Sequence, residues 1–245
     1  VLVVGASASG LQLAREIQAS GRQVTLAVGN HLRLPRVYRG IDIAMWLELI
    51  GATTIPYDKV DDITRVRRTP SLPLVAGETI DLNTLQETGV EITGRLVAMN
   101  NARALFSGSL FNLCTGADLK MNRLLTSIDD WVDDHGLSNL FAPVERFAPT
   151  APPAAPRLSV DLIAEGFGSI LWATGYHPDF RWLNLPVFDA KGALKHEGGV
   201  VAQGLYAMGL PYLRQRKSTF IDGASDDANA LADHLITGLP RQMAA

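Results

Sequence analysis

A glycine-punctuated turn near the start of the chain constrains the fold more than any other feature of the sequence. In the segment VLVVGASASGLQLAREI, residues 1–17, an apolar run is followed by small residues and then by apolar residues at helical spacing. The segment QVTLAV, residues 23–28, has the composition of a second buried strand. Together the two segments predict a β-α-β unit of the size that is typical of one half of a dinucleotide-binding domain.

The turn itself has a GxGxxG frame in which Ser7 occupies the middle glycine position. Gly5 allows the tight turn after the strand, and Gly10 allows the helix to pack closely on it. The intervening residues are small, so that a pyrophosphate can approach the N–H groups at the helix N-terminus: Ala6, Ser7, Ala8 and Ser9. Two alternatives are an ordinary turn rich in small residues and a nucleophile elbow, GxSxG, with Ser7 as the nucleophile.

The residues after the second strand indicate which dinucleotide is bound. An acidic residue there would hold the ribose 2′-hydroxyl of NAD, whereas arginines accommodate the 2′-phosphate of NADP. The segment AVGNHLRLPRVYRG, residues 27–40, has no acidic residue and contains Arg33, Arg36 and Arg39. It therefore predicts NADP(H), with Arg33 as the first candidate because it is nearest to the strand. The alternative is a solvated basic loop.

Charge and composition narrow the class of protein. The 22 basic and 25 acidic residues give a net charge of −3, which argues against general nucleic-acid binding. No apolar run approaches the roughly 18–20 residues of a membrane span. The single cysteine, Cys114, can form neither an internal disulfide nor a redox pair, and the five histidines form no metal-binding motif. These features predict a cytoplasmic protein without a metal site, a nucleic-acid partner or a membrane span.

With the remaining patterns, the sequence predicts an α/β fold. We expect a Rossmann-like three-layer βα dinucleotide-binding domain with a β-meander. Residues 90–108 have the pattern of two strands joined by a turn at Asn100 and Asn101. The other predicted segments are helices at 41–51, 117–135 and 224–238, a strand at 169–174 and a stiff Pro-rich connection at 142–157.

Four segments of the chain resemble the flavin-containing monooxygenase family, and most closely its bacterial FAD-dependent oxidoreductases. They are VVGASASG, LRLPRVYRGIDIAMWL, LWATGYHPDF and GLPYLRQRKSTFIDGASDDANALADHL. The resemblance implies an NADP(H)-binding domain at 1–170, followed at 171–245 by the C-terminal segment of an FAD-binding domain. Four residues match the family's linker motif between domains: Ala173, Thr174, Gly175 and Tyr176. By the same resemblance, Asp222 would contact a ribityl hydroxyl of FAD, and Gly223 would allow the backbone to approach the flavin.

The resemblance also implies a reaction. In this family NADPH reduces FAD by hydride transfer, and the reduced flavin takes up O₂ as a C4a-hydroperoxide. Oxygen then passes to a small-molecule substrate with a nucleophilic nitrogen or sulfur, or to a ketone. The family's first FAD-binding GxGxxG and its aromatic–His–Trp fingerprint do not occur in these 245 residues. We therefore expect an N-terminally truncated part of such an enzyme. The sequence identifies neither a catalytic side chain nor an oligomeric state.

Three other classes of protein share parts of this pattern. A flavoprotein disulfide reductase needs a redox-active cysteine pair, which a chain with one cysteine lacks. A short-chain dehydrogenase needs a Tyr-x-x-x-Lys pair, and none of the five tyrosines has lysine four residues later. The third class, a non-catalytic NADP-binding or regulatory module with an incomplete flavin site, stays open.

Overall fold

The computed structural model describes residues 1–67, 71–75 and 78–238. Its strands are β1 (Leu2–Val4), β2 (Thr25–Ala27), β3 (Val37–Tyr38), β4 (Ile41–Asp42), β5 (Leu74–Val75), β6 (Glu78–Thr79), β7 (Glu91–Thr93), β8 (Leu96–Asn100), β9 (Arg103–Phe106), β10 (Ser159–Asp161), β11 (Ile170–Trp172), β12 (Val200–Ala202) and β13 (Leu205–Tyr206). Its α-helices are α1 (Ala8–Ala19), α2 (Ile43–Leu49), α3 (Ile63–Val66), α4 (Leu82–Glu87), α5 (Leu110–Asp134) and α6 (Ile221–Gly238).

Four strands form a parallel sheet in the order β11-β1-β2-β7. Val3 pairs with Leu171 on one side and with Leu26 on the other, and Leu26 pairs with Ile92. Because parallel strands end at the same edge of a sheet, the segments that follow β1, β2, β7 and β11 emerge together. This mixed α/β arrangement agrees with the predicted Rossmann-like class.

The two faces of this sheet bury different side chains, as the alternation of a strand requires. Val3 and Leu26 belong to a buried cluster that also contains Leu11 of α1, Leu85 of α4 and Leu110 of α5. On the opposite face, the buried cluster consists of Leu2, Val4, Ala27, Ala104, Phe106, Val160 and Leu162. The latter group joins the parallel sheet to an antiparallel sheet of order β10-β9-β8. The arrangement is therefore helices, parallel sheet and antiparallel sheet.

Four predicted elements differ from the observed ones. The helix predicted at 41–51 covers only Ile43–Leu49, because residues 41 and 42 form β4, which pairs with β3. Within residues 90–108, β8 and β9 form the predicted hairpin with Asn101 at φ 52°, but β7 is a separate strand of the parallel sheet. Helix α5 begins at Leu110 rather than at residue 117. Its first two turns contain no charged residue, whereas the prediction of this helix depended on a charged face in the later turns. Helix α6 begins at Ile221 rather than at 224.

The described residues divide into two compact units. The first comprises 1–46 and the described part of 71–176, and the second comprises 47–67 and 177–238. The sequence-based boundary after residue 170 differs from the end of the first unit at Tyr176, since β11 pairs with β1. The predicted segment 171–245 extends beyond the described residues, and the domain assignment stays a prediction. Among helices of the described ranges, none is long and apolar enough to cross a membrane.

Within the second unit, His196 makes folding sensitive to acid. Its burial, and secondarily the charge of Arg67, lowers the pKa of His196 from about 6.5 to about 4. Between pH 4 and pH 6.5, the unfolded chain therefore binds a proton at His196 that the folded chain does not bind. The free energy of unfolding has its full value above pH 6.5 and decreases as the pH falls toward 4. We expect a loss of about 1–3 kcal/mol over this interval, which His196→Gln should remove.

The measurement is urea unfolding at several pH values, together with the NMR titration of the His196 imidazole. His177→Gln is the matched control, because His177 is exposed. An imidazole of His196 that titrates near 6.5, or an unchanged pH profile in His196→Gln, would contradict the expectation.

Candidate functional site

At the carboxyl edge of the parallel sheet, the N–H groups that begin α1 have no acceptor within the helix. Gly5, at φ 109°, donates its N–H to the carbonyl of Ala27 at 2.9 Å and turns the chain away from β1. The first intrahelical bond of α1 runs from the Leu11 N–H to the Ser7 carbonyl at 3.1 Å. The Ser7 side chain does not cap the helix. The N–H groups before Leu11 thus have no intrahelical acceptor, and an anion can take that place.

At two positions of the turn only glycine fits, because neighbouring backbone atoms lie too close for a side chain. A Cβ at Gly10 would overlap the carbonyl oxygen of Gly5 and would lie 3.4 Å from the Ala173 Cβ. A Cβ at Gly5 would lie 2.5 Å from the carbonyl oxygen of Ala173. Ala173 is held in this position because its N–H donates to the Val4 carbonyl at 2.8 Å. The structure therefore brings together two parts of the predicted site that are more than 160 residues apart in the sequence.

The rest of the predicted linker motif is solvent-exposed at the end of β11. Thr174 and Gly175 are exposed, and Gly175 has φ 81°. Tyr176 is fully exposed, and Trp172 is 61% exposed. The backbone thus turns away from the sheet directly after Ala173, beside the first turn. The function assigned to these residues from the resemblance stays a prediction.

Arg33 lies in the protein interior, in contact with two carboxylates. Its Nε and Nη2 donate to Oδ2 of Asp81 at 3.0 and 2.8 Å. Its Nη1 donates to Oδ1 of Asp118 at 2.7 Å and to the Ala148 carbonyl at 2.8 Å. Arg33 is only 7% exposed. These contacts fasten the segment after β2 to α4 and α5, and the predicted contact of Arg33 with a 2′-phosphate stays a prediction.

Arg36 and Arg39 also pair with carboxylates of the protein. Arg36 lies 2.5 Å from Asp42, and both side chains are partly exposed. Arg39 is buried and donates to Asp129 at 3.2 Å and to the carbonyl of Ala142 at 3.0 Å. The sequence analysis assigned both arginines to a 2′-phosphate because residues 27–40 contain no acidic residue. The partner of Arg36 is only six residues away in β4, whereas the carboxylate partner of Arg39 lies 90 residues away on α5.

Arg95 follows β7 at the same edge of the sheet, and the sequence did not identify it as a candidate residue. Arg95 is exposed and lies beside Gly29, two residues past the end of β2. Because residues 90–108 were interpreted as a meander, nothing placed Arg95 next to β2. The signal that could have found it is the β-branched residues directly before Gly94, namely Val90, Ile92 and Thr93, which are typical of a strand.

Asp222 and Gly223 lie in the first turn of α6, in the second unit. The Asp222 side chain is exposed and has no hydrogen-bond partner among the described residues. A Cβ at Gly223 would overlap the carbonyl oxygen of Lys217, so only glycine lets α6 start so close to the preceding turn. Lys217 in turn lies 3.1 Å from Asp226. A free carboxylate beside a glycine-only backbone is chemically suited to accept hydrogen bonds from ligand hydroxyl groups.

The conformation of Ser7 and the protonation of Cys114 do not favour nucleophilic chemistry, and the described residues contain no cluster of metal ligands. Ser7 has φ −87° and ψ −172°, an ordinary extended conformation, whereas a nucleophile elbow places its serine on a strained turn. Burial and the charge of Asp118 raise the pKa of the Cys114 thiol to about 11, so this thiol stays protonated at neutral pH. No group of three or more potential metal ligands occurs among the described residues.

Comparison with known proteins gives relatives whose names include an enzyme class. The chain is 23% identical over 239 residues to a Geobacillus kaustophilus protein named "Uncharacterized oxidoreductase CzcO-like", covering 96% of the chain and 52% of the relative. It is 35% identical over 69 residues to the Bacillus subtilis "Uncharacterized oxidoreductase CzcO", covering 27% and 20%. No protein-family model matches. The chain thus spans about half the length of the Geobacillus relative.

Proposed function

We propose that the chain binds NADP(H) at the first turn and forms part of an FAD- and NADPH-dependent oxidoreductase of the monooxygenase type. The packing of Gly5 and Gly10 against Ala173 carries the proposal. This packing puts helix N–H groups that lack an intrahelical acceptor at the edge where the parallel strands end, and a pyrophosphate binds at such an edge in dinucleotide-binding folds. The relatives named as oxidoreductases support a redox role.

The residues at this turn fit a dinucleotide. Ser7 and Ala8 are half-buried, Ser9 is exposed, and none has a large side chain that would exclude a phosphate. The N–H groups of the first helical turn would donate to the pyrophosphate oxygens, and the helix dipole would favour the negative charge. When bound, the nicotinamide supplies a hydride. The protein's contribution is to hold and orient the dinucleotide at the sheet edge.

The residues of the second unit fit part of a flavin site. We propose that the Asp222 carboxylate accepts a hydrogen bond from a ribityl hydroxyl and that Gly223 lets backbone approach the cofactor. The absence of a side-chain partner for Asp222 among the described residues supports this role. When bound, FAD supplies two-electron chemistry and reaction with O₂. The proposed substrate is a small molecule with a nucleophilic nitrogen or sulfur, or a ketone.

The experiment that tests this proposal is the visible absorption spectrum of the purified chain after incubation with FAD and gel filtration. NADPH and NADH are then added separately under argon. We expect a retained flavin band that NADPH bleaches faster than NADH does. A colourless chain that binds NADPH would contradict the flavin part of the proposal and favour a nucleotide-binding module. A chain that binds neither cofactor would contradict both parts.

A further inference from the structure

Arg95 is a positioned cation at the edge of the parallel sheet. It lies between β7 and β8, and its carbonyl accepts the Ser107 N–H at 2.8 Å. The preceding residue, Gly94, is so close to the Ser107 carbonyl that no Cβ could be accommodated there. The backbone of Arg95 is therefore fixed, while its exposed guanidinium makes no hydrogen bond or ion pair with any residue the structure describes.

The guanidinium lies over the segment that leaves β2. Strands β2 and β7 are parallel neighbours, with Ala27 opposite Thr93, so both chains emerge at the same edge. A Cβ built on Gly29 would be 3.6 Å from Nε of Arg95. Since Gly29 has no side chain, no side chain from this position covers the Arg95 guanidinium.

The other arginines of this region differ from Arg95 in their partners. Arg33 and Arg39 are buried against carboxylates, and Arg36 is paired with Asp42. An anion that approached any of them would compete with a carboxylate already in place. Arg95 has no such competitor among the described residues, and a planar guanidinium can bind a phosphate through two parallel hydrogen bonds.

We propose that Arg95 binds the 2′-phosphate of NADP(H) and determines the preference for NADP(H) over NAD(H). This inference rests on the proposed function, in which the dinucleotide occupies the first turn. The adenosine ribose of such a ligand lies just past the end of the second strand of the unit. The segment there, VGNHL at 28–32, has no acidic side chain to hold a free 2′-hydroxyl. Arg95 supplies the positive charge that this segment lacks.

The test is calorimetric titration of the wild-type chain and Arg95→Gln with NADP⁺, NAD⁺ and adenosine 2′,5′-bisphosphate. Because the Arg95 side chain contacts solvent, the substitution should leave the thermal unfolding midpoint unchanged. We expect the two 2′-phosphorylated ligands to bind about 10- to 100-fold more weakly to Arg95→Gln, as for loss of a charge-assisted hydrogen bond. NAD⁺ affinity should change less than about twofold. The matched control is Arg123→Gln, an exposed arginine of α5.

The outcomes separate this inference from the function on which it rests. If the wild-type chain binds NADP⁺ and Arg95→Gln binds it equally well, Arg95 is not the determinant, and the proposed dinucleotide site stands. An equal loss of NADP⁺ and NAD⁺ affinity would also overturn the inference, because the role would then not concern the 2′-phosphate. If the wild-type chain binds no dinucleotide, the proposed function fails together with the inference.

Discussion

Gly10→Ala is expected to abolish NADP⁺ binding and to lower the free energy of unfolding by about 3 kcal/mol or more. Gly10 is buried in the first turn of α1, and the added methyl group would overlap the carbonyl oxygen of Gly5. Neither atom belongs to a flexible side chain, so relief requires α1 to move away from β1. That movement would displace the N–H groups proposed to hold the pyrophosphate, which explains why binding and stability should fall together.

The effect of Gly10→Ala is measured by urea unfolding and by NADP⁺ titration at a temperature where the variant is folded. Gly116→Ala is the matched control, because Gly116 lies inside α5 with open space around its Cα. That substitution should raise stability by up to about 1 kcal/mol, as for glycine replaced by alanine in a helix. If Gly10→Ala binds NADP⁺ like the wild type, the turn is not the nucleotide site.

Arg33→Met is expected to lower the free energy of unfolding by about 3–5 kcal/mol. The substitution leaves Asp81 and Asp118 charged in the interior, each only 8% exposed, without the guanidinium that lies between them. Asp118 keeps the Thr150 N–H and hydroxyl as donors, and Asp81 keeps its N-terminal cap of α4. These remaining hydrogen bonds do not replace the positive charge.

Thermal and urea unfolding measure this effect, with Arg36→Met as the control. Arg36 and Asp42 are 24% and 30% exposed at their side chains, and a partly solvated pair of this kind contributes only about 1 kcal/mol or less. Equal losses in the two variants would contradict the interior role of Arg33. A selective loss of NADP⁺ over NAD⁺ affinity in folded Arg33→Met would instead support the prediction that Arg33 contacts the 2′-phosphate.

The sequence predicted the features that depend on short segments. The strand, turn and helix over residues 1–19 follow from apolar spacing and two glycines, and the structure confirms β1, α1 and β2. The hairpin at Asn101 could also be predicted from a short segment, because asparagine tolerates the positive φ that such a turn requires. The class of fold follows from such elements once a parallel β-α-β unit is present.

Features that depend on contacts between distant residues could not be predicted from the sequence. Apolar spacing identified a strand near residue 170, but only the folded chain shows that it pairs with β1 and places Ala173 against Gly5. The partners of Arg33 are 48 and 85 residues away, so its burial left no local signal. Conversely, Arg95 looked like any surface arginine until β7 was placed beside β2.

Binding of a dinucleotide at the first turn can be followed residue by residue in NMR spectra of the ¹⁵N-labelled chain titrated with NADP⁺. We expect the largest amide shifts at residues 7–10, because those N–H groups would donate to the pyrophosphate. Smaller shifts should follow at Gly29 and Arg95, near the adenosine ribose. If saturating NADP⁺ leaves the amides of residues 7–10 unchanged, whether or not other resonances shift, the dinucleotide does not bind at the first turn.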